Sequence, residues 1–94
     1  DAHNEIEILR GPVEKKYKKK YNRKGSETEQ KKEYFSIIAF SPEVTGIDEE
    51  GFSYPLHQAT LYNKESIGVS NEIVEKEAIL RLQSGYLIVM RTTD

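Results

Sequence analysis

The chain has 94 residues, 36% of them hydrophobic and 32% charged, and it contains no cysteine. A chain of this length forms one domain, residues 1–94, with a thin core, and the lack of cysteine excludes disulfides, thiolate nucleophiles and cysteine-based metal sites. The net charge is only −2, but residues 1–32 carry ten basic and six acidic groups, whereas residues 33–94 carry four and ten. The charge is therefore divided along the chain.

The chain begins with a predicted strand. Residues 3–10 alternate Ile6 and Ile8 with glutamates, which is the pattern of a half-buried strand. Gly11 and Pro12 follow, and this pair is typical of a tight turn. The turn predicts that the first strand pairs with the next one in a hairpin.

A second strand is predicted from Val13 to Arg23, because Val and Tyr side chains alternate with charged ones there and favour β-structure. A helix is the alternative for this segment, since Val13, Tyr17 and Tyr21 are also spaced four apart. Residues 24–32 contain no aliphatic side chain, so we expect a mobile connection.

The middle of the chain is predicted to contain a central strand. Residues 33–40 are apolar on both faces, as in a strand that is covered on both sides. Ser41, Pro42 and Glu43 then predict a helix of about one turn. Residues 46–56 combine glycines, a proline and an acidic run, so we expect a second mobile connection there.

The last third of the chain is predicted to contain, in order, short strands at 58–62 and 66–69, a helix at about 71–83 and a central strand at 86–90. Ser70 or Asn71 serves as the N-cap of the helix, and Gly85 lies beyond its end. These elements predict an α+β fold, mainly an antiparallel curved sheet or partly open barrel of about five strands with the helix before the last strand.

No catalytic or cofactor motif is visible in the sequence. His3 and His57 have no partner at metal-ligand spacing, and the glycines are too scattered to form a phosphate-binding loop. We therefore expect a protein that is not an enzyme and that has no catalytic residues, no cofactor and no metal site.

The candidate binding site is a basic hairpin at residues 15–24, where seven of ten residues are Lys or Arg. Regularly spaced cations suit a polyanion, and interleaved tyrosines add a stacking surface for unpaired bases. The predicted partner-binding or polyanion-binding residues are Lys16, Lys18, Lys19, Lys20, Tyr21, Arg23, Lys24, Lys31 and Lys32.

A structural explanation covers part of the same run. In a two-residue hairpin Glu7 faces Lys16, which makes some lysines simple complements of the first strand. On that register Ile6 faces Tyr17, so Tyr17 becomes a core residue rather than a stacking platform. The sequence leaves both explanations open for the tyrosines.

Two functions follow from this charge pattern. The first is a non-enzymatic interaction or assembly module whose basic hairpin engages an acidic protein surface or another subunit. The alternative is a nucleic-acid-binding accessory protein that uses the same hairpin on the phosphate backbone, largely without sequence specificity. No membrane span or leader is apparent, so no membrane partner is expected and the predicted location is cytoplasmic.

Overall fold

The computed structural model describes residues 3–19, 33–65 and 69–93. These residues form eight strands and one short 3₁₀ turn, Asn63–Glu65. The strands are β1 (His3–Arg10), β2 (Val13–Lys18), β3 (Glu33–Ala39), β4 (Glu43–Glu50), β5 (Leu56–Tyr62), β6 (Val69–Asn71), β7 (Glu77–Leu82) and β8 (Tyr86–Thr93).

The strands build two antiparallel sheets that pack face to face as a β-sandwich. The front sheet has the order β1-β8-β3-β6 and the back sheet has the order β2-β7-β4-β5. The predicted α+β fold is therefore wrong, because the described ranges contain two four-stranded sheets and no α-helix. Those ranges also contain no helix with the length and apolar character needed to cross a bilayer.

The core lies between the sheets and is filled mainly by alternate residues of β3, β7 and β8. In β3 the side chains of Phe35 and Ile37 are fully buried, whereas Ile38 points to the outer face of the front sheet and is half-buried. The strands predicted at 3–10, 33–40, 58–62 and 86–90 are confirmed. The strand predicted at 66–69 coincides with the described structure only at the start of β6.

The predicted helix at 71–83 is instead the end of β6, a connection and β7. Ala78, Leu80 and Leu82 point into the core, while Ile79 and Arg81 point outward. Ile79 adds an apolar side chain to the outer face, and this extra residue made the period-two pattern resemble a broad helical stripe. Pairing of β7 with β2 and β4 stabilises this segment as a strand rather than as a helix.

The helix of about one turn predicted after Ser41 is wrong, and the connection predicted at 46–56 is shorter than expected, since β4 runs from Glu43 to Glu50. Gly46 lies in an irregular part of this strand with a φ of 68°, where an added Cβ would overlap the Gln83 side chain. Glycine is there to allow the irregularity and not to end the strand. Only 51–55 separates β4 from β5.

The predicted hairpin between the first two strands does not form. Gly11 and Pro12 carry the chain from the front sheet to the back sheet, so β1 pairs with β8 and β2 pairs with β7. A tight turn and a crossing between sheets both use Gly and Pro, so the dipeptide cannot distinguish them. Ile6 accordingly faces Met90 and not Tyr17. The connection predicted at 24–32 lies outside the described residues.

We predict that Ile37→Ala and Ile38→Ala differ sharply in stability, although both remove the same atoms. Loss of the fully buried Ile37 side chain is expected to cost about 2–5 kcal/mol because it leaves a cavity. Loss of the half-buried Ile38 side chain is expected to cost less than about 1.5 kcal/mol. Urea unfolding measures both, and equal losses would contradict the inward direction of Ile37.

Candidate functional site

The candidate site lies at the end of the sandwich where β4 and β6 finish and β5 and β7 begin. Two connections meet there, the 51–55 loop and the 72–76 loop. The backbone N–H of Val74 donates to the carbonyl of Gly51 at 3.0 Å, and a further backbone bond joins Ser53 to the other loop at 2.8 Å. The two loops therefore form one bonded layer over this end of the core.

The side chain of Asn71 anchors this layer. Its Oδ1 accepts hydrogen bonds from the backbone N–H groups of Tyr54 at 2.9 Å and Glu72 at 3.0 Å. Its Nδ2 donates to the carbonyl of Tyr54 at 2.6 Å and to Oε1 of Glu49 at 2.9 Å. The amide thus pairs with both backbone groups of Tyr54 as a neighbouring strand would. We call Asn71, Glu49 and the Tyr54 backbone the Asn71 clamp.

Glu49 is a fully buried carboxyl group on the inner face of β4. Its Oε2 accepts no hydrogen bond from any described residue. Burial raises the pKa of Glu49 from 4.5 to about 7, and the hydrogen bond from Asn71 opposes this increase. Between pH 4.5 and about pH 7, Glu49 is protonated in the folded state but ionised in the unfolded chain. The contribution of this group to the free energy of unfolding is therefore lost as the pH rises to about 7.

Tyr54 combines a fixed backbone with a free ring. Its side chain is 69% exposed, and Val74 in the opposite loop is also exposed. The Asn71 clamp holds the Tyr54 backbone at two points, so little backbone entropy remains to be lost when a ligand contacts the ring. This geometry provides an aromatic side chain on a preorganised backbone at the end of the sandwich.

A second polar cluster of Glu7, Lys15 and Tyr17, in which only Tyr17 is buried, lies between β1 and β2. Glu7 accepts hydrogen bonds from Lys15 Nζ at 2.9 Å and from the Tyr17 hydroxyl at 3.1 Å. Burial, and secondly the charge of Glu7, raise the pKa of Tyr17. Tyr17 is therefore a core residue, and the glutamate complements Lys15 and Tyr17 instead of the predicted Lys16.

Arg91 continues this cluster from β8. Its Nη2 donates to the carbonyl of Lys18 at 2.9 Å, and its guanidinium lies 5.5 Å from the centre of the Tyr17 ring. The same nitrogen is 2.9 Å from Oε2 of Glu33, but that oxygen accepts no well-directed hydrogen bond from the described residues. The Glu33–Arg91 contact is thus a charge pairing rather than a hydrogen bond.

An aromatic row runs between the two polar groups. Phe35 packs against Tyr17 with ring centres 4.9 Å apart and against Phe52 with ring centres 4.7 Å apart. In the register of the front sheet Phe35 also stands between Arg91 and Asn71. The rings therefore separate the Arg91 charge from the Asn71 clamp.

The structure describes three of the predicted binding residues, Lys16, Lys18 and Lys19. All three are exposed, and Lys19 donates its backbone N–H to the carbonyl of Lys76 in the 72–76 loop. The basic segment thus starts at the same end as the candidate site. The others, Lys20, Tyr21, Arg23, Lys24, Lys31 and Lys32, lie outside the described residues. A binding role for this set stays a prediction.

Sequence reasoning missed Glu49, Tyr54 and Asn71. Glu49 lies in an acidic run that indicates a solvated turn, and Asn71 has the character of a helix N-cap. Only the alternation of Ile47 with Glu49 marks the carboxylate as inward-facing. Within the described ranges, no group of three or more His, Cys, Asp or Glu side chains could hold a metal ion.

The fold and the geometry of this end define an antiparallel β-sandwich domain whose anchored loops present an aromatic ring to solvent. Residues 23–87 match the model of the family "Thiamin pyrophosphokinase, vitamin B1 binding domain". This match covers more than half of the chain, and the chain belongs to that family.

Relatives of known identity agree with this assignment. The thiamine pyrophosphokinase of Bacillus subtilis (strain 168) is 31% identical over 68 residues, which are 72% of this chain and 32% of the relative. The crystal structure of the Bacillus subtilis enzyme matches with a TM-score of 0.78 and 28% identity over 97% of this chain and 38% of that chain. The structure from Geobacillus thermodenitrificans matches with a TM-score of 0.79 and 22% identity over the same shares. This chain therefore spans about a third of the length of the curated relative.

These findings correct the functions expected from the charge pattern. Membership in a family of pyrophosphokinases contradicts both the non-enzymatic interaction or assembly module and the nucleic-acid-binding accessory protein. The expectation that the protein is not an enzyme is contradicted for the same reason, because its family is a family of enzymes. The sequence contains none of the short catalytic or phosphate-binding motifs by which a single sequence could have indicated this family.

We predict that Asn71→Ala costs about 2–4 kcal/mol, because it leaves the Tyr54 and Glu72 N–H groups and Glu49 without a partner. Ser70→Ala is the matched control, since Ser70 is the preceding residue and its side chain is exposed. It is expected to change stability by less than about 0.5 kcal/mol. Urea unfolding compares the two, and a near-neutral Asn71→Ala would show that the clamp does not hold the loops.

Proposed function

We propose that this chain is the vitamin B1-binding part of a thiamin pyrophosphokinase. The observation that carries the proposal is the family match over residues 23–87, which includes the 51–55 loop, the 72–76 loop and all three members of the Asn71 clamp. The Bacillus subtilis relative bears the same enzyme name. A chain that spans about a third of that relative supplies a binding part, and the transfer of pyrophosphate to thiamin belongs to the whole protein.

The exposed ring of Tyr54 suits the chemistry of this ligand. Thiamin contains an aminopyrimidine ring and a thiazolium ring with a permanent positive charge. Flat rings stack on aromatic side chains, and a cation gains a further attraction from the negative face of the ring. Because the Tyr54 backbone is fixed by Asn71, the ring offers this surface without first having to order the loop.

Two expectations from the sequence accompany this proposal. The cytoplasmic location stays a prediction, as does contact between the basic and acidic segments of two copies. Neither is needed for vitamin binding, because the Asn71 clamp lies within one chain.

We predict that Tyr54→Ala weakens thiamin binding by about tenfold or more, while stability changes by less than about 0.5 kcal/mol because the ring is exposed. Tyr62→Ala is the matched control, since Tyr62 is also an exposed tyrosine but lies at the opposite end of β5. Isothermal titration calorimetry with thiamin measures both affinities. Equal effects of the two substitutions would contradict a binding role for Tyr54, and no binding by the unmodified chain would contradict the proposed function.

A further inference from the structure

Glu49 places a buried titratable group next to the bonded loops that carry Tyr54. In the back sheet it stands between Leu80 of β7 and Leu56 of β5, so both lateral neighbours are apolar. Its contact with Asn71 reaches across the core to β6 of the front sheet. The carboxyl group therefore has one polar partner among the described residues and an apolar surrounding on its own sheet.

Charged groups on the nearest strands point away from Glu49. Asp48 and Glu50 flank it in β4 but lie on the outer face of the back sheet, where Glu50 pairs with Arg81 of β7. Glu77 of β7 is exposed on that face as well. His57 of β5 is almost fully exposed beside Asp48.

The inward-facing charges of the remaining elements are already paired. Lys15 of β2 stands on the far side of Leu80 and binds Glu7 of β1. Arg91 of β8 pairs with Glu33 of β3 behind the aromatic row. Asn71 is the polar group that meets Glu49 from β6.

We propose that Glu49 is a positioning residue whose ionised carboxylate fixes the Asn71 amide, and through it Tyr54, in the form that binds the cationic vitamin. This inference rests on the proposed function. Glu49 itself is fully buried and acts through Asn71 rather than by touching the ligand.

The chemical basis is the difference between a carboxylate and a carboxylic acid. A carboxylate only accepts hydrogen bonds, so it admits the Asn71 amide in the one orientation that turns Nδ2 toward it. In that orientation Oδ1 faces the N–H groups of Tyr54 and Glu72. A neutral carboxyl lacks the charge that strengthens its hydrogen bond from Nδ2. It therefore holds the amide less firmly, and the bonds from that amide to Tyr54 and Glu72 open more often.

The charge of the vitamin acts in the same direction. A cation bound on Tyr54 favours the ionised form of a carboxyl group in the low-dielectric layer below it. By linkage, ionisation of that carboxyl group then favours binding of the cation. Because Glu49 changes its protonation near neutral pH, the binding-competent fraction increases as the pH rises.

The test is the pH dependence of thiamin affinity, measured by calorimetry from about pH 6 to about pH 8. The affinity of the unmodified chain is expected to fall by about tenfold at the acidic end, which is the change in the ionised fraction of an acid with a pKa of about 7. Glu49→Gln is expected to bind with a flat profile, because its side chain does not titrate. Any pH dependence that comes from titration of the vitamin itself also occurs with this variant. The difference between the two pH profiles therefore reports Glu49 alone.

Glu50→Gln is the matched control, since Glu50 is the next residue in β4 but its side chain lies on the outer face. It is expected to keep the profile of the unmodified chain. Binding with a flat profile in the unmodified chain overturns the role of Glu49 and leaves the proposed function intact. A slope in Glu49→Gln as large as that of the unmodified chain also overturns it.

A measurement without ligand separates the role of Glu49 from the proposed function. Amide hydrogen exchange at Tyr54, corrected for intrinsic exchange, is expected to show protection that increases as Glu49 ionises and to lose this dependence in Glu49→Gln. Constant protection of Tyr54 across the same pH range overturns the inference. If the chain shows the protection change but does not bind thiamin, the link between Glu49 and Tyr54 stands, whereas both the proposed function and the ligand part of the inference are overturned.

Discussion

The hydrogen bond from Asn71 to Glu49 is the interaction on which the candidate site depends. It joins β6 of the front sheet to β4 of the back sheet across the core, where most contacts are apolar. The same amide holds the backbone of Tyr54. A buried polar pair of this kind adds less stability than an apolar pair of similar volume, but its directionality fixes one arrangement of the groups that meet there. The position of the Tyr54 backbone, which carries the exposed ring, is therefore set from inside the sandwich.

The interior of the sandwich is divided by the aromatic row of Tyr17, Phe35 and Phe52. On one side, the charges of Arg91 and its partners are balanced locally. On the other side, Glu49 has a single neutral partner among the described residues and a pKa shifted toward neutrality. Its ionised form therefore costs stability in the pH range where a cationic ligand gains from it. Such a compromise between stability and binding is common at functional sites.

Much of the β-structure was predictable, but its pairing was not. Alternation around Ile6 and the apolar runs of β3 and β8 gave these strands correctly because those signals are local. The helix prediction failed at Ile79, whose apolar side chain lies on the outer face of β7. Whether Gly11 and Pro12 turn a hairpin or cross between sheets depends on partners that are distant in sequence. The sequence therefore predicted where most strands lie but not which strands pair in each sheet.

The candidate site was less predictable than the fold, for a related reason. The high charge density predicted a binding role for lysines such as Lys18 and Lys19, and these do lie at the same end of the sandwich as the candidate site. Glu49 and Asn71 are 22 positions apart and become a pair only when the two sheets pack. A carboxylate acquires an unusual environment through tertiary burial, and no local pattern encodes that environment.

The most direct test of this account is a nuclear magnetic resonance titration of the isotope-labelled chain with thiamin. If vitamin B1 binds at the end organised by the Asn71 clamp, the largest amide shifts will occur at Tyr54, Glu72 and Val74. The amides of Thr45 and Asn63, near the opposite end of the sandwich, will remain nearly unchanged. Shifts concentrated at Thr45 and Asn63 would contradict the account, as would the absence of any shift at saturating thiamin.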